Sequence, residues 1–265
     1  MKNIQRTTFS ALITLILSTP LFANEKGIAD TSLFKPDFTF GNISLNYLDW
    51  TQDTQNRSPQ RDFSYLELEG GAGWSWGEFY MLADLENPTR SYDDTTDSRH
   101  YVFKPVLDIR LLKTNFHIHI QDYNFYSENF YVSNAIAGLS YKIESGSDFW
   151  AIPFIGIHHQ QSTYYTGFNG FMAGFSHSYS MHKQNNKFSI AGWHEFEFGR
   201  NKKDYQLEDG TPIGDGDSYG VQGALSFWWH PRTEVTTGVQ YRYAHNKLGF
   251  NGYQDGFIYS VKYNF

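Results

Sequence analysis

Cysteine is absent from all 265 residues, so no disulfide scaffold is available. Long apolar runs are absent too. After residue 23, nothing approaches the roughly 18 consecutive apolar residues that a transmembrane helix needs. If the chain crosses a membrane, it must do so as a closed barrel, because lipid cannot satisfy open backbone groups. Charge is scarce at 18%, against roughly 25% in an average soluble protein. Lysine and arginine (21) are outnumbered by aspartate and glutamate (28), which excludes a basic nucleic-acid binder. No phosphate loop, dinucleotide fingerprint or zinc-finger spacing occurs.

Aromatic residues are abundant. There are 23 Phe, 19 Tyr and 7 Trp, with 23 Gly, while the mean hydropathy is only −0.52. A soluble core would ask for more Leu, Ile and Val.

The first 23 residues read as a secretory signal peptide. Lys2 and Arg6 form a positive start, "FSALITLIL" (9–17) is a short apolar run, and "STPLFA" follows. Cleavage is expected near Ala23, with Leu21 an unusual residue two before it. Removal takes two bases and no acid, leaving 19 against 28 and a net charge of −9. Residues 24–37 are polar without period and read as an N-terminal periplasmic or plug segment.

From residue 38 to 265, alternation with period two dominates. Candidate strands are 38–50, 62–72, 77–86, 100–112, 115–126, 131–143, 148–160, 169–181, 187–199, 218–230, 233–245 and 255–265. Short links alternate with longer ones rich in Asp, Asn, Gly and Ser, although the link at 127–130 is short for its side. Such alternation is how an outer-membrane barrel is built. The expected fold is therefore all-β: a transmembrane antiparallel up-and-down β-barrel of about 12 strands. Aromatics near strand ends, among them Trp50, Trp74, Trp76, Trp150, Trp228, Trp229, Tyr241 and Tyr243, are expected at the membrane interfaces.

Period two also assigns faces. In "YLELE" (65–69), Leu66 and Leu68 face one way, and Tyr65, Glu67 and Glu69 the other. Lipid cannot host carboxylates, so the glutamates point into the lumen. The same rule turns Glu78, Tyr80, Asp84, Glu86, Lys104, Asp108, Arg110, His117, His119, Gln121, Trp193, Glu195, Glu197, Gln222, Gln240, Arg242 and Lys262 inward. The paired carboxylates at 67/69 and 195/197 are expected to meet lumen cations such as Arg110, Arg242 or Lys104.

His117 and His119 have spacing that could hold zinc given a third ligand. Unspecific lumen polarity is the better reading, and no metal or cofactor is expected. Ser176, His177 and Ser178 alternate across a strand, so they make no catalytic pair. A hydrolase would need a rim- or lumen-facing nucleophile hydrogen-bonded to a histidine. "EDGTPIGDGDSYG" (208–220) reads as an exposed acidic loop.

The order of "FSYLELEGGAGWSWGEFYMLADLENP", "YVFKPVLDIRLL", "GSDFWAIPFIGI", "NGFMAGFSHSYSM" and "GFIYSVKYNF" resembles the Tsx/OmpK family of outer-membrane proteins over 38–265. That resemblance implies a monomeric twelve-stranded barrel with a narrow channel and no enzymatic chemistry. One branch passes nucleosides; the other is known as a phage receptor. By motif, only 65–69 is carried over, as a lumen-facing element. Aromatic faces at Tyr80, Trp193 and Trp228, with Glu67, Glu69, Asp108 and Arg110, are expected to meet the solute. Asp84, His117, Glu195 and Arg242 complete the expected lumen set. The alternatives are a structural barrel acting as a surface receptor and an outer-membrane hydrolase. "FIYSVKYNF" (257–265) is expected to pair with the first strand. Tyr263 and Phe265 would then lie in the periplasmic girdle as the signal read by barrel-assembly machinery.

Overall fold

In this chain, apolar side chains lie outside and polar ones inside. Leu45 is 59% exposed and Val261 57%, whereas Asn46 is 1% exposed and Gln254 0%. That inversion suits a wall with lipid outside and a polar lumen within. The computed structural model describes residues 31–93, 98–184, 186–206, 209–211 and 214–265. The expected signal peptide and residues 24–30 lie outside the described residues.

Leu33–Phe265 form one compact body. Its strands are β1 (Phe38–Trp50), β2 (Phe63–Trp74), β3 (Gly77–Glu86), β4 (His100–Arg110), β5 (Phe116–Tyr126), β6 (Tyr131–Tyr141), β7 (Ile143–Ser145), β8 (Phe149–Ser162), β9 (Thr166–Lys183), β10 (Asn186–Phe198), β11 (Tyr219–Arg232), β12 (Val235–Lys247) and β13 (Phe250–Asn264). Consecutive strands pair antiparallel, β6 pairs β8, and β13 pairs β1. β7 only extends the hairpin that opens β8. The described residues thus form a closed barrel of twelve wall strands, as the alternation predicts.

The seam lies where the sequence places it. Leu45 pairs with Val261 and Ile43 with Tyr263, and the Phe265 amide donates to the Gly41 carbonyl at 2.9 Å. Tyr259, Val261, Tyr263 and Phe265 face outward, while Ser260 is buried on the lumen side. Backbone approach is closest at Gly138 of β6. A Cβ there would lie 2.0 Å from the Ile155 carbonyl oxygen, which belongs to the ladder and cannot yield. Gly138→Ala is expected to cost about 1–3 kcal/mol through overpacking. The check is heat-dependent gel migration, where an unchanged unfolding temperature would contradict it.

Two sequence readings need correction. Trp50 is not an interfacial residue. It is 3% exposed and packs inward with Leu48, Tyr65 and Ile258. Trp228, also grouped with strand-end aromatics, faces the lumen, while its neighbour Trp229 faces out. Alternation decides this, because neighbours on a strand cannot share a face. The link after β1 also holds a short helix, α1 (Gln52–Arg57), which period two cannot reveal. Thr51 caps it, accepting from the Thr54 amide at 3.3 Å.

Residues 33–37 lie against the short-turn end. Trp76 Nε1 donates to the Leu33 carbonyl at 2.8 Å and Trp74 Nε1 to that of Phe34 at 3.1 Å. Both Leu33 and Phe34 are exposed.

Candidate functional site

The lumen is crossed by side chains at mid-height. Lys104 on β4 meets Glu195 on β10 at 2.6 Å, and Gln121 on β5 donates to the same carboxylate oxygen at 2.9 Å. Gln222 on β11 donates to the other oxygen at 2.8 Å, and Arg242 on β12 donates to Gln222 at 3.0 Å. Around the wall, four strands separate β4 from β10 on one side and six on the other. The bridge therefore divides the lumen into a smaller lobe and a larger one. A carboxylate crossing a lumen is held in place when its charge is matched and its lone pairs are filled. Glu195 meets both conditions.

The larger lobe carries the "YLELE" acids. Lys262 lies 2.9 Å from Glu69 and 3.6 Å from Glu67. Asn42 donates to Glu69 at 3.0 Å and Ser44 to Glu67 at 3.3 Å. Tyr80 donates to Glu69 at 2.9 Å. Asp84 lines the same wall, opposite Glu67 in register, and its Oδ1 is buried without a hydrogen bond. Toward the short-turn end, Phe40 and Tyr80 stack with centroids 6.4 Å apart. Phe38 and Phe40 point inward because Gly73 and Gly71 opposite them leave room for the rings. Phe40 is 45% exposed, so its ring face is open to a solute.

The smaller lobe holds His119, whose Nδ1 is 2.9 Å from Asp108 and whose ring stacks on Phe154 at 4.4 Å. Ser140 donates to the same Asp108 oxygen. Serine and histidine both face the carboxylate rather than each other, so no nucleophile is activated there.

At the loop end, the segment after β10 folds over the lumen. The Arg200 side chain is fully buried. It donates to Glu197 at 3.2 Å, Asp215 at 3.3 Å and the carbonyls of Tyr219 and Asn246. Lys247 reaches Glu197 at 2.6 Å. Tyr205 lies under the Arg200 guanidinium at 5.0 Å and donates to Gln160 on β8 and Asn169 on β9 at 2.9 and 2.8 Å. Burial pushes the Asp215 carboxyl above its usual range, with Lys247 and Arg200 opposing, and it raises the Tyr205 phenol as well. On the loop surface, the hydrogen bond from Lys202 lowers Asp217.

The structure thus gathers Glu67, Glu69, Tyr80 and Asp84 in one lobe, Asp108 in the other, and Glu195 with Arg242 at the bridge. Trp193 and Trp228 do not offer bare stacking faces. Lys104 and Arg242 lie over Trp193 at 5.0 and 4.7 Å, and Lys262 lies over Trp228 at 4.6 Å. Arg110 is exposed at the turn end, bonded at most weakly to the Ser75 carbonyl, and joins no lumen cluster. His117 is buried in the wall with its Nδ1 unpaired. The glutamates' partners are Lys104, Lys262, Arg200 and Lys247 rather than Arg110. Sequence reading missed Phe38, Phe40, Arg200, Tyr205, Asp215 and Lys247. Applying period two to Asn42 and Ser44 and extending it by one step would have reached Phe40.

A Ser–His–carboxylate chain does stand at the rim. Ser98 Oγ is 3.0 Å from His100 Nε2, and His100 Nδ1 is 3.2 Å from Glu86. The amide that follows the serine, which in hydrolases often helps hold the oxyanion, donates instead to the Ser91 carbonyl at 3.0 Å. The geometry fixes a loop base better than it supports acyl transfer.

The family model for "Nucleoside-specific channel-forming protein, Tsx" matches residues 45–265. The chain belongs to the Tsx family. Among solved structures, the NanC porin is similar over 83% of this chain and 98% of its own, at 9% identity and a TM-score of 0.49. An outer-membrane channel from Pseudomonas putida F1 matches 91% of this chain and 99% of its own, at 12% identity and a TM-score of 0.43. LpxR from Salmonella typhimurium matches 84% and 99%, at 7% identity and 0.44. These similarities are remote, and the closed strand register itself establishes the barrel. As a Tsx-family barrel, the chain is an outer-membrane channel for small solutes.

Proposed function

We propose that the larger lobe conducts nucleosides by passive diffusion, without cofactor and without chemistry on the solute. The observation that carries this reading is the open Phe40 face beside Tyr80, Glu69 and Asn42. A nucleoside has one flat π-face and a sugar rich in hydroxyl donors. Base–aromatic stacking contributes about 1–3 kcal/mol and tolerates any base. Carboxylates and an amide within reach of the stacked ring suit the ribose hydroxyls. The Tsx family's nucleoside specificity supports the same substrate class. Asp108, His117 and Arg110 are left out of the solute path. Trp193 and Trp228 act through the cations they hold.

The test is efflux from liposomes loaded with labelled adenosine or with sucrose. Adenosine is expected to leave faster through the reconstituted protein, and Phe40→Ala should reduce that preference while sucrose efflux holds. Equal efflux of both solutes from the native protein would overturn the reading.

We also propose that Tyr263 and Phe265 carry the recognition signal for barrel assembly. Deleting Phe265 is expected to lower outer-membrane yield while the assembled fraction conducts normally. Undiminished yield would refute this.

A further inference from the structure

The larger lobe holds one ammonium that the protein supplies itself. Lys262 lies between Glu69 at 2.9 Å and Glu67 at 3.6 Å, with its Nζ 4.6 Å from the Trp228 ring centre. Carboxylates and an aromatic face suit an ammonium, which brings three donors and no acceptor. One step toward the loop end, the acids repeat without the lysine. Glu67 and Asp84 stand directly opposite each other on β2 and β3, and Glu86 follows on the same face, opposite Tyr65. Like charges placed directly opposite repel. Glu67 has Ser44 and the farther contact with Lys262, and Glu86 has His100. Asp84 has neither a hydrogen bond nor an ion pair among the described residues, and its Oδ1 is buried.

A second side chain at this level is unpartnered. Tyr65 is 7% exposed, and among the described residues its hydroxyl makes no hydrogen bond. It lies in the field of Glu67, Asp84 and Glu86. Glu67 and Asp84 are only part-buried, so both are open to the lumen. At mid-height, Glu67, Glu69, Asp84, Glu86 and Glu195 are set against Lys104, Arg242 and Lys262. Five acids against three bases leave the passage negative with the bridge intact, and lumen carboxylates favour cations. Among the described residues, no three carboxylates or imidazoles are placed to hold a metal ion. A cation that makes hydrogen bonds fits the pair better than one that needs a coordination shell.

We propose that Glu67, Asp84 and Tyr65 bind the primary ammonium group of a small organic cation, and that the channel passes such cations as well as neutral solutes. The ammonium sits between the two facing carboxylates, as Lys262 sits between Glu67 and Glu69. Its three N–H donors are answered by Asp84, Glu67 and the Tyr65 hydroxyl oxygen. Its charge removes the repulsion between the acids and supplies Asp84 with the partner that no side chain of the wall provides. Asp84 is four residues from Tyr80 along β3, roughly 13 Å at the rise of a strand. A base stacked on Phe40 and an ammonium at Asp84 therefore do not compete for one set of atoms. The cation site shares the larger lobe with the nucleoside path but does not rest on stacking at Phe40.

The test is potassium chloride current through the purified protein in a planar bilayer, with no nucleoside present. Added 1,4-diaminobutane, protonated at both ends at neutral pH, is compared with butane-1,4-diol, its uncharged counterpart of equal length. The diamine is expected to block the native current and the diol to leave it unchanged. Asp84→Asn should need about tenfold more diamine for the same block, the loss expected for a hydrogen bond to a charged group. Glu67→Gln should weaken the block likewise, and serves if Asp84→Asn fails to assemble. Asp84→Glu keeps the carboxylate and should block as the native protein does. Glu144→Gln removes an exposed acid at the turn end and should also block as the native protein does. In a gradient of diaminobutane dihydrochloride alone, the zero-current potential should take the sign of cation passage. A native current that the diamine reduces no more than the diol does would overturn the proposal, as would undiminished block in the Asp84→Asn or Glu67→Gln channel. A potential with the sign of chloride passage would overturn it too. So would an equal loss of block in Glu144→Gln, by assigning the effect to overall charge.

Discussion

Glu195→Ala is expected to raise single-channel conductance severalfold and to shift ion selectivity toward anions. Glu195 accepts from Lys104, Gln121 and Gln222, so its removal takes away the centre of the crossing and frees three side chains to fold back against the wall. Lys104 and Arg242 would then face the path without a neutralising carboxylate, and a ring of unmatched cations favours anions. Removing one partner of a buried ion pair costs about 3–5 kcal/mol. The barrel survives that loss because its ladder hydrogen bonds are untouched. Glu195→Gln separates the two effects: it keeps the shape of the bridge and removes the charge, so selectivity should shift while conductance changes little. Both variants are read by current recordings in salt gradients. A Glu195→Ala channel with native conductance and selectivity would show that the bridge does not limit the path.

Arg200→Ala should release the segment after β10 from the lumen mouth. Among the described residues of that segment, no other side chain answers Glu197 and Asp215 together while also filling the carbonyls of Tyr219 and Asn246. Its loss leaves Asp215 with the Gly249 amide at 2.8 Å and with Lys247 at 4.0 Å, at the edge of ion pairing. The cost is again about 3–5 kcal/mol, here charged to the docked loop rather than to the barrel. Tyr205 would lose the cation above its ring, and with it part of its hold on Gln160 and Asn169. The expected readouts are protease nicking within 201–218 on intact cells and larger, noisier current steps. Arg200→Lys keeps the charge without the planar fork, so it should fall between the two. A loop that resists protease in Arg200→Ala as well as the native loop does would contradict this account.

Much of the wall was legible from alternation because a period of two ties every residue to one of two environments. Glu67, Glu69 and Glu195 had to face the lumen, and they do. The seam between β1 and β13 followed from the outward stripe ending at Phe265. What alternation cannot supply is distance across the barrel. Lys104 and Glu195 are 91 residues apart, and nothing local in either segment points to the other. Trp50 was misplaced because aromatic character near a strand end suits an interface and a packed lumen mouth equally well, and only the face decides. The tie of the 199–218 loop depends on Arg200, just past a strand end, where the alternation has already stopped. Phe40 was passed over because no face was assigned along 38–50, where Asn42, Ser44 and Asn46 alternate on its side.

The most direct measurement is current through the purified protein in a planar bilayer, with adenosine or uridine added against a control of sucrose. The account predicts discrete steps whose conductance falls as nucleoside occupies the larger lobe, with sucrose having no such effect. Steps that no nucleoside diminishes, or a bilayer that stays silent, would contradict it.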